Sequence, residues 1–548
     1  MLLRNLPPGR RRVGASLIRR LAVAFTGWCL CAPVQAGALG DSGARHHEPA
    51  APYHRLVDTR GVPEQGPASV EPAGGRELHV SLADTVQLAL DNNRDLSNAR
   101  LGRILQRYSL EIAENEFRPR FALGTGAQRS GAPGTRPNDT AQLSTSALLR
   151  IPTGGQFALT WSGHHSGSSG GDPYSQSLSL TFSQPLLRGA GVEVATAGLR
   201  SARRAEQQNL LAFRDAVAAV ISSVVRLYRA YGQAQRNVEV VERALARARE
   251  HYEINQLLVS TGRMAEQELV QNRAEIKQRE LGIAAAMNAL DAARLRLVDI
   301  LDVDSDTRFV LTDALELDPE AIPPPADPDA SLEIALAHRS DYRLARFAIE
   351  EAEQSLLLAR DRRRWDLSLN TTLNFAGSAP GIGGTFRGLD AGDYFVGLNL
   401  SVPLGEVANA PSRLAHLNAA IELRRVRTGH ANLRHAIEVA VRNAVRTVHA
   451  SYQQILLARE ARVLAEEKVE IERIKLASGI SSNFEMISAE DALLAAHNQE
   501  TDTVIGYLNS LTALDATLGT TLETWEIDVS RIEQAATGFE PEDGLPLR

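Results

Sequence analysis

Ser177 to Gly191 reads SLSLTFSQPLLRGAG. Leu178, Leu180 and Phe182 alternate with Ser177, Ser179, Thr181 and Ser183, the period of a strand with one apolar and one polar face. The alternation stops at Pro185 and again at Gly189 to Gly191. From Val192 to Leu258 there is then no proline and only Gly198 and Gly232. A single helix over that span would run roughly 100 Å at ~1.5 Å per residue, longer than any ordinary globular domain holds. Its apolar residues, among them Val217, Val220, Ile221, Val224, Val225 and Leu227, then Val238, Val240 and Val241, form a narrow stripe among many charges, the pattern of coiled-coil packing.

The same change of period recurs as GLNLSVPLG at Gly397 to Gly405, because the chain is internally duplicated. VQLALDNNRDLSNARL from Val86 aligns with LEIALAHRSDYRLARF from Leu332 at an offset of 246, pairing Ala89 with Ala335, Leu90 with Leu336, Asp95 with Asp341 and Ala99-Arg100 with Ala345-Arg346. Further on, Pro185-Leu186 pairs with Pro403-Leu404 at 218, and STGRMAEQEL around Gly262 with ASGISSNFEM around Gly479 at 217. The first copy therefore holds 28 extra residues, all between its two strand-like regions. They read AQLSTSALLRI, a tight turn at Pro152-Thr153-Gly154-Gly155, and QFALTWSGHHS. That is one additional hairpin, with Leu143, Thr145, Ala147, Leu149 and Ile151, then Phe157, Leu159 and Trp161, on one face.

This pattern predicts a mainly α chain with a β-barrel part. Residues 1–36 are a signal peptide and 37–80 a disordered leader. The first repeat, 81–310, holds helices at 81–117, 192–258 and 264–301 and strands within about 120–187. A Pro-rich linker at 311–330 leads to the second repeat, 331–525, with helices at 332–362, 412–477 and 481–518 and strands within about 366–404; a tail covers 526–548. Met264 to Leu301 and Leu332 to Arg362 together match the long helix in length. The expectation is that these two stack to retrace it, and that Ser81 to Phe117 completes the return leg from Ser481 to Leu518.

In the second copy Val396, Leu398, Leu400 and Val402 oppose Gly397, Asn399 and Ser401, and Leu367, Leu369, Thr371 and Leu373 oppose Ser368, Asn370, Thr372 and Asn374. One face suits hydrocarbon and the other a wet lumen. A soluble sandwich alternates in the same way, but here the strands are isolated between long helices and supply no second sheet. Six strands, or four if the extra hairpin lies outside the wall, cannot close a transmembrane barrel of at least ~8, and open edges cannot sit in lipid. The barrel has to be shared between chains.

Six arginines and no acid precede the apolar run LAVAFTGWCLCAPVQA, which ends on the small-residue site Val34-Gln35-Ala36. This reads as an export signal, too short to span a membrane. Cys29 and Cys31 both lie inside it, so the mature chain would carry neither disulfide nor thiolate chemistry, and neither cysteine follows a lipoprotein pattern. Without those six arginines, 53 basic residues face 66 acids, a net charge of about −13 that makes nucleic acid an unsuitable partner.

The duplicated LALDNNRDL and IALAHRSDY openings, the FSQPLLRGAG and LSVPLG strand-to-helix junctions, and the Gly262 and Gly479 turns together resemble the TolC-like outer membrane efflux family. The resemblance covers about Ser81 to Trp525. It implies a homotrimer whose barrel and helical tube form one duct through the outer membrane, with a large periplasmic portion. It further implies partners in a periplasmic adaptor (membrane fusion protein) and an inner-membrane pump, outer membrane lipid around the barrel, no cofactor and no enzymatic activity. The family barrel has twelve strands, four from each chain, and the extra hairpin departs from that. By position after the tip glycines, Glu485 and Glu268 correspond to the acid that lines the periplasmic aperture; a second acid found in some members corresponds to Ser488 here. The tips at Gly262, Arg263, Gly479 and Ile480 would dock the adaptor. Pro185, Gly189, Pro403 and Gly405 would mark where the duct leaves the membrane.

Other classes fit less well. Gly189-Ala190-Gly191 lacks the third glycine of a dinucleotide turn, which Val192-Glu193-Val194 replaces, and no crossover strand follows. His46-His47 and His164-His165 lack convergent metal partners. The principal alternative is a periplasmic coiled-coil adaptor or scaffold that never inserts into a membrane, which leaves the lipid-suited strands unexplained.

Overall fold

A computed structural model describes residues 77–131, 138–166, 174–313, 327–381, 392–478 and 480–534. The expected signal peptide, the His46-His47 pair, most of the leader and linker, Gly479 and most of the tail lie outside the described residues. The first copy runs β1 (Glu77–Val80), α1 (Leu82–Asn92), α2 (Arg94–Glu114), β2 (Arg120–Ser130), β3 (Asn138–Arg150), β4 (Gln156–Ser166), β5 (Tyr174–Pro185), α3 (Ala197–Ser260) and α4 (Gln267–Leu301). After β6 (Arg308–Leu311) the second copy runs α5 (Pro328–His338), α6 (Ser340–Asp361), β7 (Asp366–Ala379), β8 (Gly392–Ser401), α7 (Gly405–Ala477) and α8 (Asn483–Leu518).

Six strands form one antiparallel sheet in the order β2-β3-β4-β5-β7-β8, and β1 pairs with β6 in parallel. The sheet stands at one end of the helices. Below it, α2 and α4 lie along one side of α3, while α6 and α8 lie between α3 and α7. The core is a stack of thin layers rather than one globule. One layer gathers Val217, Ile221, Val224 and Tyr228 of α3 with Leu297 and Leu301 of α4, α1 and the β1–β6 pair, and another gathers Ile437, Val441 and Val445 of α7 with Leu511 and Leu514 of α8.

The stacking of the short helices differs from the expected one. Each copy closes on itself: α4 is continued by α2, not by α6, and α8 is continued by α6. The cause is a matched pair of joints. Asn93, between α1 and α2, leaves helical geometry at ψ 128°, and its Nδ2 donates to Ile300 O at 2.9 Å while its Oδ1 accepts from Leu96 N at 3.0 Å. Arg94 then pairs with Asp302, the left-handed residue that ends α4. In the second copy Arg339, at ψ 124°, donates from Nη1 to Thr517 O at 2.9 Å, against the left-handed Gly519 that ends α8. Asn93 and Arg339 are equivalent at the repeat offset of 246, as are Asp302 and Gly519 at 217. The stacking is therefore written into each repeat, where a broken helix and a left-handed cap satisfy each other's loose backbone groups.

A second difference is at the start of α7, which begins at Gly405, ahead of the expected Ser412, and includes Pro411. Pro411 supplies no N–H to the carbonyl of Val407 one turn earlier, and at the start of the helix Asn409 Nδ2 donates to Gly405 O at 2.9 Å and Pro403 O at 3.2 Å.

Candidate functional site

The sheet has two chemically distinct faces that hold register across all six strands. One row runs Phe121, Ala147, Leu159, Leu180, Leu373, Tyr394, and the next runs Leu123, Thr145, Trp161, Leu178, Phe375, Gly392. The opposite face carries Ala122, Ser146, Thr160, Ser179, Asn374 and Asp393 in one row. Its hydroxyls and amides bond across strands: Ser179 Oγ donates to Asn374 Oδ1 at 2.7 Å, Ser183 Oγ to Asn370 Oδ1 at 2.8 Å, and Ser162 and Ser177 share a bond of 2.8 Å. An eleven-residue strand tilted by ~40° rises about 28 Å, the thickness of a bilayer core. Among the described residues no helix is long and apolar enough to cross a membrane.

Both junctions predicted from sequence stand where the sheet meets the helices. At the first, Gly189 (φ +80°) and Gly191 (φ +99°) adopt backbone that side-chain-bearing residues avoid. Gly189 N donates to the buried Asp361 Oδ2 at 2.8 Å, Leu186 N to Leu367 O at 2.7 Å, and Gly191 N to Thr153 O at 3.2 Å. The turn of the extra hairpin is packed against this junction so closely that a Cβ on Gly154 would stand 2.4 Å from Gly189 O. Among the described residues the second junction has no such cladding. Pro403 and Leu404 lead straight into α7 through Gly405 (φ +84°), and Leu404 is 83% exposed.

At mid-height α3 carries a buried cation, Arg229, whose Nη1 donates to Leu508 O at 2.7 Å and Thr512 Oγ1 at 2.8 Å of α8. Loss of water lowers its pKa to about 10. Burial pushes the nearby Asp515 carboxyl up to about 7, against the hydrogen bond from Thr524 and the charge of Arg229.

The far ends of the helices form two tips. At the first, Arg263 N donates to Leu258 O and Gly262 N to Val259 O, both at 2.9 Å, around a left-handed Gly262 (φ +72°). At the second, Ile480 N donates to Lys475 O at 2.9 Å, the equivalent closure around Gly479, whose own geometry lies outside the described residues. Glu485 opens α8 in a capping box: its N–H donates to Ser482 Oγ at 3.3 Å, and its Oε2 accepts from Ser482 N at 3.1 Å and Ser481 Oγ at 2.8 Å. The Ser482 amide, first among these donors, holds the carboxyl below its ordinary range, so it stays charged. Glu268 lies in the first turn of α4, which has no side-chain cap.

Just inside the tips is a polar layer that periodicity alone does not reveal. Asn255 Nδ2 of α3 donates to Asn483 Oδ1 of α8 at 2.9 Å, and Asn483 Nδ2 donates to Asn272 Oδ1 of α4 at 2.7 Å, all three side chains being buried. One turn away, His251 Nε2 lies 2.7 Å from Glu490 Oε1, and Arg279 bridges from α4 to Asp491. The signal available in the sequence is polar residues on the faces that otherwise carry the apolar stripe.

The model of one protein family, the outer membrane efflux proteins, matches residues 85–302 and 332–520, one span in each copy. The chain belongs to the outer membrane efflux protein family. Three solved outer membrane proteins share the fold of this efflux protein. The CmeC outer membrane channel of Campylobacter jejuni is 17% identical, with 88% of this chain and 98% of that one covered at a TM-score of 0.60. The MtrE outer membrane channel of Neisseria gonorrhoeae, in its open state, is 16% identical over 80% and 88% at 0.59, and VceC of Vibrio cholerae 15% identical over 80% and 96% at 0.59. No curated protein matches the chain. The protein is thus an outer membrane efflux channel with a periplasmic helical extension, and not an enzyme. Channels of this family are homotrimers in tripartite efflux systems.

Proposed function

We propose that three copies of this chain close one continuous duct, a strand barrel in the outer membrane above a helical tube, fed by an inner-membrane pump through a periplasmic adaptor. The observation that carries this reading is the six-strand sheet with one apolar face, one polar face and, among the described residues, both edges unpaired within the chain. Such a sheet is stable in lipid only when other copies pair its edges. The helices agree, because two exposed apolar stripes lie at opposite sides of the protomer. Leu101, Leu105, Tyr108 and Ile112 of α2 with Val270 and Leu281 of α4 form one; Val407, Leu414, Leu417 and Ile421, then Leu457, Leu464 and Ile471 of α7 form the other.

The tips at Gly262, Arg263, Gly479 and Ile480 dock the adaptor, with Ile480 and Phe484 offering exposed apolar surface there. Glu485, and less directly Glu268, line the periplasmic aperture, where a ring of three carboxylates favours cations. Pro185, Gly189, Pro403 and Gly405 mark the membrane boundary. Residues 1–36 direct export, and the two repeats at 81–310 and 331–525 supply the wall. The duct performs no covalent chemistry, and the pump supplies the energy.

Extraction tests this directly. The mature protein is expected to stay with outer membranes through high salt and alkaline washes and to run as an oligomer that heat converts to monomer. Release as a soluble monomer would support the periplasmic scaffold instead and end the duct reading.

A further inference from the structure

The β3–β4 hairpin is the only large feature of the first copy with no counterpart in the second among the described residues. β2 corresponds to β7 and β5 to β8 by their flanking sequences, so the insertion lies in the middle of the sheet, not at its margin. It is not an appendage. β3 pairs with β2 over Asn138 to Leu148 and with β4 over Thr140 to Arg150, and β4 pairs with β5 over Gln156 to His165.

Its apolar side, Leu143, Ala147 and Leu149 followed by Phe157, Leu159 and Trp161, continues the same rows as the lipid-suited residues of the other four strands, and Phe157 stacks on Phe182 at 4.4 Å. Its polar side, Ser144, Ser146, Thr160 and Ser162, continues the wet face. Its closing turn lies at the helix end of the sheet, bonded to the first junction through Thr153. β2 runs away from the helices and β8 returns to them, so the two free edges of neighbouring copies meet antiparallel, as every pair inside the sheet does.

We infer that β3 and β4 are part of the membrane wall, and that three chains close a barrel of eighteen strands by pairing β2 of one copy with β8 of the next. This rests on the trimer proposed above. The dimensions favour it. At ~4.8 Å between strands and ~40° of tilt, each strand occupies about 6.3 Å of circumference, so six cover about 38 Å and four about 25 Å. The tube beneath has four helix positions per chain, which at ~8–10 Å each cover about 32–40 Å. The inserted hairpin brings the membrane wall to the width of the tube. The barrel is then about 36 Å across between strand axes, against about 24 Å for twelve strands. A lumen of that width admits a bulkier solute at the outer mouth, so discrimination falls to the tips and the pump.

The scarcity of cysteine makes the strand order measurable, since both cysteines lie in the expected signal segment. Single cysteines on the apolar face of β2 (Leu123→Cys, Thr125→Cys, Ala127→Cys) are combined in one chain with single cysteines on the same face of β8 (Tyr394→Cys, Val396→Cys, Leu398→Cys) and oxidised in outer membranes. Covalent dimers and trimers from at least one β2–β8 register, with none when Leu159→Cys or Trp161→Cys of β4 replaces the β2 position, are the expected result. Cross-linking of β4 to β8 would leave the trimer standing but put β2 and β3 outside the wall, and overturn the inference; a wall that omits β3 and β4 would instead set β2 beside β5, so a disulfide within one chain between Leu123→Cys and Leu178→Cys, three strands apart in the six-strand order, would overturn it as well. A heat-sensitive trimer with no β2–β8 link at any register would overturn it too, while a soluble monomer would remove the trimer itself. Electron cryo-microscopy of the unsubstituted trimer in lipid nanodiscs distinguishes the same alternatives without cysteines, since eighteen strands around the barrel would bear the inference out and twelve would overturn it.

Discussion

The two long helices arise from the same repeat and end at equivalent residues, Ser260 and Ala477, yet α3 is clad and α7 is half bare. Eighteen of the 64 residues of α3 are buried, against seven of the 73 of α7. The difference is in neighbours. α3 has α1, α2 and α4 along one side and α6 and α8 along the other, while α7 has α5, α6 and α8 on a single flank. Arg229 and Arg446, equivalent at the offset of 217, show it residue by residue: Arg229 is buried against α8, and Arg446 is exposed. The bare flank of α7 keeps the apolar heptad spacing of Leu457, Leu464 and Ile471. A stripe with that spacing is made to be packed, and in the proposed duct the neighbour would be α2 and α4 of the next chain.

The sharpest way to break this comparison is to charge the bare flank. Leu457→Glu combined with Leu464→Glu is expected to abolish the heat-sensitive trimer while leaving the chain helical by circular dichroism, because burying two carboxylates at an interface forfeits several kcal/mol per contact. If the trimer survives, α7 is not an interface helix. On α3 the corresponding test acts within the chain. Ile221→Ala empties a position that is 1% exposed, and is expected to cost about 2–5 kcal/mol in the unfolding of the protomer itself.

The buried pair at mid-height gives the next effect in size. The Asp515 carboxyl titrates near 7 in the folded chain and near its ordinary value of 3.8 when unfolded, so the folded state holds a proton that the unfolded state has lost between those values. Its contribution to stability is full below about pH 4 and declines as pH rises through 7, while Arg229, at about 10, stays charged throughout. The thermal midpoint is therefore expected to fall between pH 5 and pH 8. Asp515→Asn should flatten that slope, and a variant with the wild-type slope would place the titration elsewhere.

Much of the architecture is legible because it is periodic. The alternation in SLSLTFS and LSLNTTLN marks the two faces of the sheet, and the absence of proline from Val192 to Leu258 marks the long helix. Repeat offsets locate the tips and junctions. What is not legible depends on single side chains that satisfy backbone groups far away in sequence. No periodicity reveals that Asn93 caps the end of α4 through Ile300 O, which is why the return helices stack within each copy and not, as their lengths suggest, across the two. Asn255, Asn272 and Asn483 leave only a faint trace, a polar residue on a face that otherwise carries the apolar stripe, and their partners on three different helices cannot be read from it. Pro411 looks like a helix start, yet the helix already begins at Gly405.

The smallest expected effect separates the tips that follow the two long helices. Glu485 is fastened by the capping box and held charged, whereas Glu268 has no such anchor. Glutamine serves a capping box as glutamate does, so Glu485→Gln removes the charge and keeps the hydrogen-bonded turn. Stability should therefore fall only slightly, through the lost charge at the helix N-terminus, and the main change should be in the electrostatics of the aperture. In planar bilayers the expected outcome is a loss of cation preference for Glu485→Gln that exceeds the loss for Glu268→Gln. The gap should shrink as salt is raised from ~0.1 M to ~1 M, where the screening length falls from ~10 Å to ~3 Å. Equal losses would mean that both tips line the mouth alike. Unchanged selectivity in Glu485→Gln would take that carboxylate out of the aperture and leave it a cap.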